Sequence, residues 1–283
     1  SSVKSSAAKN AASYGNEGWD SLFSDVKDTL SSADLAIANL ETPVAPIHNG
    51  PLAQKVFNGP IALLKALQDA GVDAVSMANN HVWDQGTVGM LETIQHLQET
   101  TLLWAGAGAT CADAQAPRVF EKNGIHIGWI STTRIHNLLL NKGPDDPCVF
   151  SFDVTKILAS AALARDQGAE VVFLSVHWGT EYTSQPLDWD KRFATQLLDG
   201  GIDGIIGHHP HVLQPIQWHD TPDSRHTFVA YSVGNFVTGQ GYSTPIGSTS
   251  SEALKRDSVI LRVHLKKENN KVQIDDLHAL PAW

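Results

Sequence analysis

The sequence predicts an α/β protein in which helices flank mixed sheets. The first two-thirds of the chain alternates helix-like and strand-like segments, which is the pattern of an α/β sheet. Residues 170–176 form a near-continuous apolar run, as expected for a strand that is covered on both faces. Asn123-Gly124 and Asn269-Asn270 each separate two strand-like segments, so we expect antiparallel hairpins at both places.

The chain patterns place the elements in order. Residues 1–18 are poor in large apolar side chains and predict a flexible lead-in, followed by a single domain over 19–283. Thr87 is expected to cap a helix whose apolar stripe includes Val88. The Gly-, Ser- and Thr-rich residues 238–253 predict a surface loop, with a lid as the alternative. Helices are expected over 19–30, 61–70, 87–98, 153–166 and 188–198. Strands are expected over 34–40, 72–77, 102–105, 118–121, 125–131, 170–176, 226–233, 259–265 and 271–277, and a further strand is expected to end at residue 206.

Composition excludes several classes of protein. The 283 residues are 42% hydrophobic and 18% charged, which is ordinary for a globular chain. A formal net charge of −10 without a Lys/Arg cluster argues against binding to nucleic acid or to an anionic membrane. No apolar run is long enough for a transmembrane helix, and no signal peptide is recognised. Cys111 and Cys148 lie far apart, which favours two unpaired thiols over the alternative of a disulfide.

Polar side chains follow four of the predicted strands, in sets that contain carboxylate, amide and imidazole groups. One polar residue after a strand is usually a turn former. The carboxyl ends of neighbouring strands, however, meet at one edge of a sheet, where binding sites form. These ligand types suit Mn, Fe or Zn better than Ca or Mg. Two such ions can activate a hydrolytic reaction, with a nearby histidine as proton donor. The sets are Asn39 with Glu41, Asn80 with His81 and Asp84, His177, and His209 with His211.

The densest set is the stretch Gly207-His208-His209-Pro210-His211, which follows the apolar Ile205-Ile206. Pro210 restricts the backbone between two imidazoles and helps to direct both towards one point. A metal site is favoured here over a surface loop that is merely rich in histidine.

Five motifs of this chain resemble those of the CapA-type bacterial capsule synthesis proteins, also called poly-γ-glutamate synthesis proteins. They are ANLETP at 38–43, ANNH at 78–81 with DQG at 84–86, HWGTEY at 177–182, GHHPHVLQ at 207–214 and YSVGNF at 231–236. The likeness extends over residues 19–283. Because that family is similar to the calcineurin-like metallophosphatases, the resemblance implies a four-layer α/β/β/α sandwich with a site for two divalent metal ions.

The resemblance also implies roles for single residues. His81 resembles a general acid, which Asp84 would orient. His208 is less suited than His209 and His211 to the role of a metal ligand. Asn235 is better suited to shaping a turn than to contacting the substrate. The metal ligands implied are Glu41, Asn80, His177, His209 and His211, and the residues expected at the substrate are Asn39, Glu181, His208 and Asn235.

One departure from the family pattern concerns the start of the chain. The family normally begins with a strand that ends in Gly-Asp, and nothing before Trp19 matches it. We expect this strand to lie outside the chain, together with an export signal or anchor that would place the protein at the cell surface. The alternatives are a cytoplasmic location and a protein that lacks the strand, whose site would hold one metal ion or none.

The function expected is capsule or poly-γ-glutamate biosynthesis or export through a metal-dependent, hydrolase-like site. Its substrate would be an anionic polymer or a small phosphoester or amide. One alternative is a non-catalytic subunit that binds polymer or serves as a scaffold in a membrane synthase complex. The other is that the polar strand ends are caps and turns only.

Overall fold

The computed structural model describes residues 2–48, 56–241, 251 and 253–282. The chain divides into two compact units, unit 1 with Ser1–Ala116 and Ile135–Ser151, and unit 2 with Pro117–Arg134 and Phe152–Trp283. The sequence shows no domain boundary and predicts one domain. The two units interleave along the chain, so no single linker marks their division. Among the described residues, no helix has both the length and the hydropathy needed to cross a bilayer.

Unit 1 begins with short helices. Helix α1 spans Ser2–Asn10, a 3₁₀ helix spans Asn16–Leu22, and helix α2 spans Lys27–Ser31. Ala7 is fully buried, and a Cβ on Gly18 would collide with the Ala7 carbonyl oxygen. Residues 2–10 are therefore helical and packed rather than part of a flexible lead-in, because small side chains allow a close approach that large apolar ones do not. The single helix predicted over 19–30 is instead two short helices.

A three-stranded parallel sheet forms the centre of unit 1. Strands β1 (Ile37–Asn39), β2 (Ala74–Ser76) and β3 (Leu103–Ala105) pair in that order. Helices α3 (Ile61–Asp69) and α4 (Gly86–Gln98) lie between them in the sequence. Because the strands are parallel, the residues that follow β1 and β2 lie at the same edge of the sheet.

The ends of α3 and α4 test the capping predictions. Helix α3 stops before Gly71, whose φ of 96° is the left-handed conformation expected at a helix C-terminus. The residue before α4 is Gln85, so the prediction that Thr87 caps this helix is wrong. Val88 is 52% exposed and does not belong to the apolar stripe.

A disulfide joins Cys111 and Cys148 in unit 1, and the prediction of two unpaired thiols is therefore wrong. Strand β4 (Ala107–Gly108) pairs with β7 (Cys148–Val149), and helix α5 (Cys111–Gln115) follows β4 directly. This pairing brings the two Cα atoms to 4.8 Å although 37 positions separate them in the sequence. Such a long-range contact leaves no local pattern in the sequence.

Unit 2 is built on a six-stranded mixed sheet. Its strands are β5 (Arg118–Lys122), β6 (Ile125–Thr133), β8 (Val171–His177), β9 (Gly204–His208), β10 (Ile216–Asp220) and β11 (His226–Ala230). The spatial order is β10-β11-β9-β8-β6-β5, with four parallel strands in the centre and an antiparallel strand at each edge. Strand β10 was not predicted because only two of its five residues are apolar.

Two helices and a closing hairpin complete unit 2. Helix α6 spans Val154–Asp166 and α7 spans Asp188–Asp199. A 3₁₀ helix at Ala253–Arg256 leads into strands β12 (Ser258–Glu268) and β13 (Lys271–Ala282), which pair as the predicted antiparallel hairpin. Residues 242–250 and 252 of the loop predicted over 238–253 lie outside the described residues.

The pairing of β8 with β9 positions the histidines of unit 2. His177 and His208 are register partners at the carboxyl ends of these two strands. A Cβ on Gly207 would collide with the backbone of Tyr231 and would approach Nε1 of Trp178. Glycine is therefore required just before His208, where β9 runs closely past its neighbours.

Candidate functional site

The polar residues that follow β1 and β2 form one hydrogen-bonded set in unit 1. The Nδ2 of Asn39 donates to Oε2 of Glu41 over 3.0 Å. Asn79 is fully buried, and its Nδ2 donates to the carbonyl oxygen of Leu40 over 2.9 Å. Its Oδ1 accepts the backbone N–H of His81 over 3.1 Å. Asn79 thus connects the two strand ends, a role that the sequence alone does not reveal.

His81 is held on several sides within the same unit. Its Nδ1 lies 2.7 Å from Oδ2 of Asp84, and the ring of Phe57 stacks on it with centroids 4.1 Å apart. The same Asp84 oxygen accepts the backbone N–H of Phe57 over 2.6 Å. Asn80 donates from Nδ2 to Oδ1 of Asn137 over 3.3 Å. A carboxylate at Nδ1 favours the imidazole tautomer with its proton there, which makes Nε2 the atom suited to proton transfer.

Three histidine rings lie together at the carboxyl edge of the sheet in unit 2. The centroids of His177 and His209 are 4.8 Å apart, and those of His209 and His211 are 5.9 Å apart. Glu181 belongs to the same region, because one ligand atom each from Glu181, His209 and His211 lie within 4.8 Å of one another. The structure therefore brings the predicted ligands His209 and His211 together with a carboxylate that the sequence assigns to the substrate.

The loop that carries these residues has an unusual backbone. His209 has a φ of 98°, His211 a φ of 58° and Tyr182 a φ of 62°, a region that side chains other than glycine rarely adopt. The backbone N–H of Tyr182 donates to the carbonyl oxygen of Pro210 over 2.7 Å, so the two segments support each other. Non-glycine residues in this conformation are concentrated at active and binding sites.

Asn235 and His208 have distinct environments. Oδ1 of Asn235 lies 2.8 Å from Nδ1 of His211, and Nδ2 of Asn235 donates to the His211 carbonyl oxygen over 3.2 Å. Asn235 therefore orients the His211 ring, as outer hydrogen bonds do for metal-binding histidines. Burial lowers the pKa of His208 to about 4, so this imidazole is neutral at neutral pH.

An ion pair supports the end of β8. The backbone N–H of Arg134 donates to the His177 carbonyl oxygen over 2.8 Å, and its guanidinium lies 3.2 Å from the carboxylate of Asp190. The guanidinium also stacks over the ring of Trp189 at 4.1 Å. Burial raises the pKa of Asp190, although Arg134 and the backbone of Leu187 oppose this effect. No sequence motif predicts this support.

The donor set of unit 2 fits a divalent metal ion. Two imidazoles and a carboxylate match the ligand preferences of Mn, Fe and Zn. His209 is only 7% exposed, so its ring occupies a fixed position rather than a mobile surface loop. Asn235 supplies the outer hydrogen bond that such ligands require. Glu181, His209 and His211 are therefore a candidate group for a divalent metal.

The sequence is similar to that of capsule proteins. The family model described as "Bacterial capsule synthesis protein PGA_cap" matches residues 2–240. The PGA biosynthesis protein CapA of Bacillus subtilis (strain 168) is 31% identical over 273 residues, which are 94% of this chain and 68% of that protein. The capsule biosynthesis protein CapA of Bacillus anthracis is 27% identical over 263 residues, which are 90% of this chain and 60% of that protein. This chain thus spans less than two-thirds of the length of the Bacillus anthracis protein.

The fold resembles solved structures of distant sequence. The NAD nucleotidase NadN of Haemophilus influenzae superposes with a TM-score of 0.53 at 14% sequence identity, covering 97% of this chain and 44% of that one. At this identity the likeness concerns the fold alone. It agrees with the α/β class with mixed sheets that the sequence predicts.

Proposed function

The chain belongs to the bacterial capsule synthesis protein family PGA_cap, and from this premise we propose that it acts in capsule or poly-γ-glutamate biosynthesis through a metal-dependent, hydrolase-like site. The observation that carries the proposal is the group formed by Glu181, His209 and His211, whose ligand atoms lie within 4.8 Å of one another. Capping and turn formation alone do not require two imidazoles and a carboxylate to converge.

In the proposed site, the residues of unit 2 bind a metal ion and orient its ligands. Glu181, His209 and His211 would hold a divalent ion, with His177 as a further ligand beside His209. Asn235 fixes the ring of His211. When bound, Mn, Fe or Zn supplies Lewis acidity for hydrolysis of a phosphoester or an amide. The neutral His208 shapes the strand end without adding a charge.

The residues of unit 1 supply a proton donor and further metal ligands. His81 is the proton donor, because the Asp84 carboxylate holds its Nδ1 and the Phe57 ring covers one face. Glu41 and Asn80 would serve as further metal ligands, as the family resemblance implies. Asn79 holds the strand ends that carry them.

The family supports a polymeric substrate at the cell surface. The names of both Bacillus relatives refer to capsule or PGA biosynthesis, so the proposed substrate is an anionic polymer or a small phosphoester or amide derived from it. A membrane synthase complex is the proposed partner. Since the chain carries a net charge of −10, a metal ion would also reduce the repulsion of an anionic substrate.

Metal content tests the proposal. We would measure it by elemental analysis of protein purified without a chelator or a histidine tag, as wild type, His209→Ala and His278→Ala. His278 is an exposed histidine on β13 and serves as the matched control. About two equivalents of Mn, Fe or Zn are expected in the wild type and the control, and fewer in His209→Ala. A wild type that takes up no metal even after soaking with manganese would refute the hydrolase and favour the scaffold role.

A further inference from the structure

A cavity in unit 2 lies next to the candidate metal group, and none of the residues that line it has a role in the proposed function. Its volume is about 300 Å³, which is at the lower end of the range for small-molecule sites. It is lined by Tyr182, Ser184, Val212, Ser251, Leu254 and Lys255. Tyr182 and Val212 are direct sequence neighbours of Glu181 and His211, so the cavity adjoins the metal group.

The cavity has a positive charge at a fixed place. The Nζ of Lys255 lies 4.3 Å from the centroid of the Tyr182 ring, a cation–π contact that orients the ammonium group. The backbone of Lys255 is also held, because its carbonyl oxygen accepts Nδ2 of Asn235 over 2.9 Å. Because the chain has a net charge of −10, a lysine ammonium that is held in place beside the candidate metal group differs in sign from the chain as a whole.

Tyr182 connects this cavity to the metal group. Its ring stacks on His211 with centroids 5.9 Å apart, and its N–H donates to the carbonyl oxygen of Pro210. Asn235 makes a second connection, because it bonds both the His211 ring and the Lys255 carbonyl oxygen. The ammonium group and the candidate ligands are thus parts of one hydrogen-bonded and stacked assembly.

We propose that this cavity is a subsite for an anionic group of the substrate, a carboxylate or a phosphate. The Lys255 ammonium supplies the charge, and the hydroxyls of Ser184 and Ser251 supply hydrogen bonds. Val212 and Leu254 provide an apolar wall for the methylene groups that carry the anion. The inference rests on the proposed function, since it makes the cavity a specificity element of that site.

Calorimetric titration tests the subsite. Glutarate and inorganic phosphate are titrated into the wild type, Lys255→Gln and Lys266→Gln, and glutaramide serves as the neutral analogue of glutarate. Lys266 is an exposed lysine on β12 and is the matched control. Loss of a charged hydrogen bond is expected to weaken binding roughly tenfold in Lys255→Gln, with no change in the control. Preference for glutarate or for phosphate identifies the anion as a carboxylate or a phosphate.

Two results would overturn the subsite. One is an equal affinity of wild type and Lys255→Gln for both anions, and the other is the absence of binding to the wild type at millimolar concentrations. Metal content measured on the same samples separates this proposal from the function. A metal-containing protein whose anion binding ignores Lys255 refutes the subsite alone, whereas Lys255-dependent binding by a metal-free protein refutes the hydrolase alone.

Discussion

The backbone of His209 allows a quantitative test of whether the metal group is held under strain. This residue has a φ of 98°, and Pro210 follows it and restricts its conformation further. A side chain in this region costs about 1–2 kcal/mol, which glycine avoids. His209→Ala and His209→Gly both remove the buried imidazole, but only glycine relieves the backbone. Glycine loses more backbone entropy on folding than alanine, which offsets part of this gain. We therefore expect the free energy of unfolding of His209→Gly to be about 1 kcal/mol higher than that of His209→Ala.

The assay is urea denaturation of chelator-treated protein, so that metal binding does not contribute. The matched pair is His264→Ala and His264→Gly within β12, where the backbone is extended. There the order should reverse, with glycine about 0.5–1 kcal/mol less stable than alanine. If the alanine variant at position 209 is more stable than the glycine variant by the same margin as in β12, the loop is not strained, and the argument from backbone strain to function fails.

Three further predictions concern the disulfide, a buried carboxylate and the His81 pair. Serine at both Cys111 and Cys148 should lower the free energy of unfolding by about 4 kcal/mol for a loop of this length, and reduction of the wild type should match it in urea titrations. Burial raises the pKa of Glu92, but hydrogen bonds from Ile47, His48 and His96 leave it below 4.5. The unfolded chain therefore binds more protons, so stability should fall as the pH drops below 4.5, and less steeply in Glu92→Gln. Asp84→Asn should leave metal content unchanged but alter the His81 tautomer signals in ¹H–¹⁵N NMR spectra, and unaltered signals would contradict the orienting role of Asp84.

The strand ends of the site could be predicted because their signal is local. An apolar run followed by polar residues identifies His177 and the stretch that holds His209 and His211, and the structure places His177 and His208 as register partners at the ends of β8 and β9. The parallel order of β1 and β2 likewise follows from the alternation of helix and strand. These features depend on periodicities that a short window of sequence contains.

The remaining features depend on contacts between distant residues. Asn79 and its neighbour Asn80 are the same residue type and both are buried, so only the bonds of Asn79 to Leu40 and His81 distinguish it. Lys255 reaches Tyr182 across 73 positions, and no motif connects them. The cysteine pair meets through two-residue strands that are too short to predict. Long-range pairing, rather than local propensity, determines each of these contacts.

Positive φ at residues other than glycine occurs in turns as well as at the candidate site. Asn123, Asn269 and Asn270 also have positive φ, but they lie in hairpin turns where asparagine adopts this conformation readily. His209 and His211 lack that local justification, and a plain connector would select glycine or asparagine at both positions. The bonds of Asn235 hold the ring and the backbone of His211, and His209 is held by its burial. Since the fold tolerates this cost where two ligands and a carboxylate meet, the strain favours a site selected for binding over one that only closes a loop.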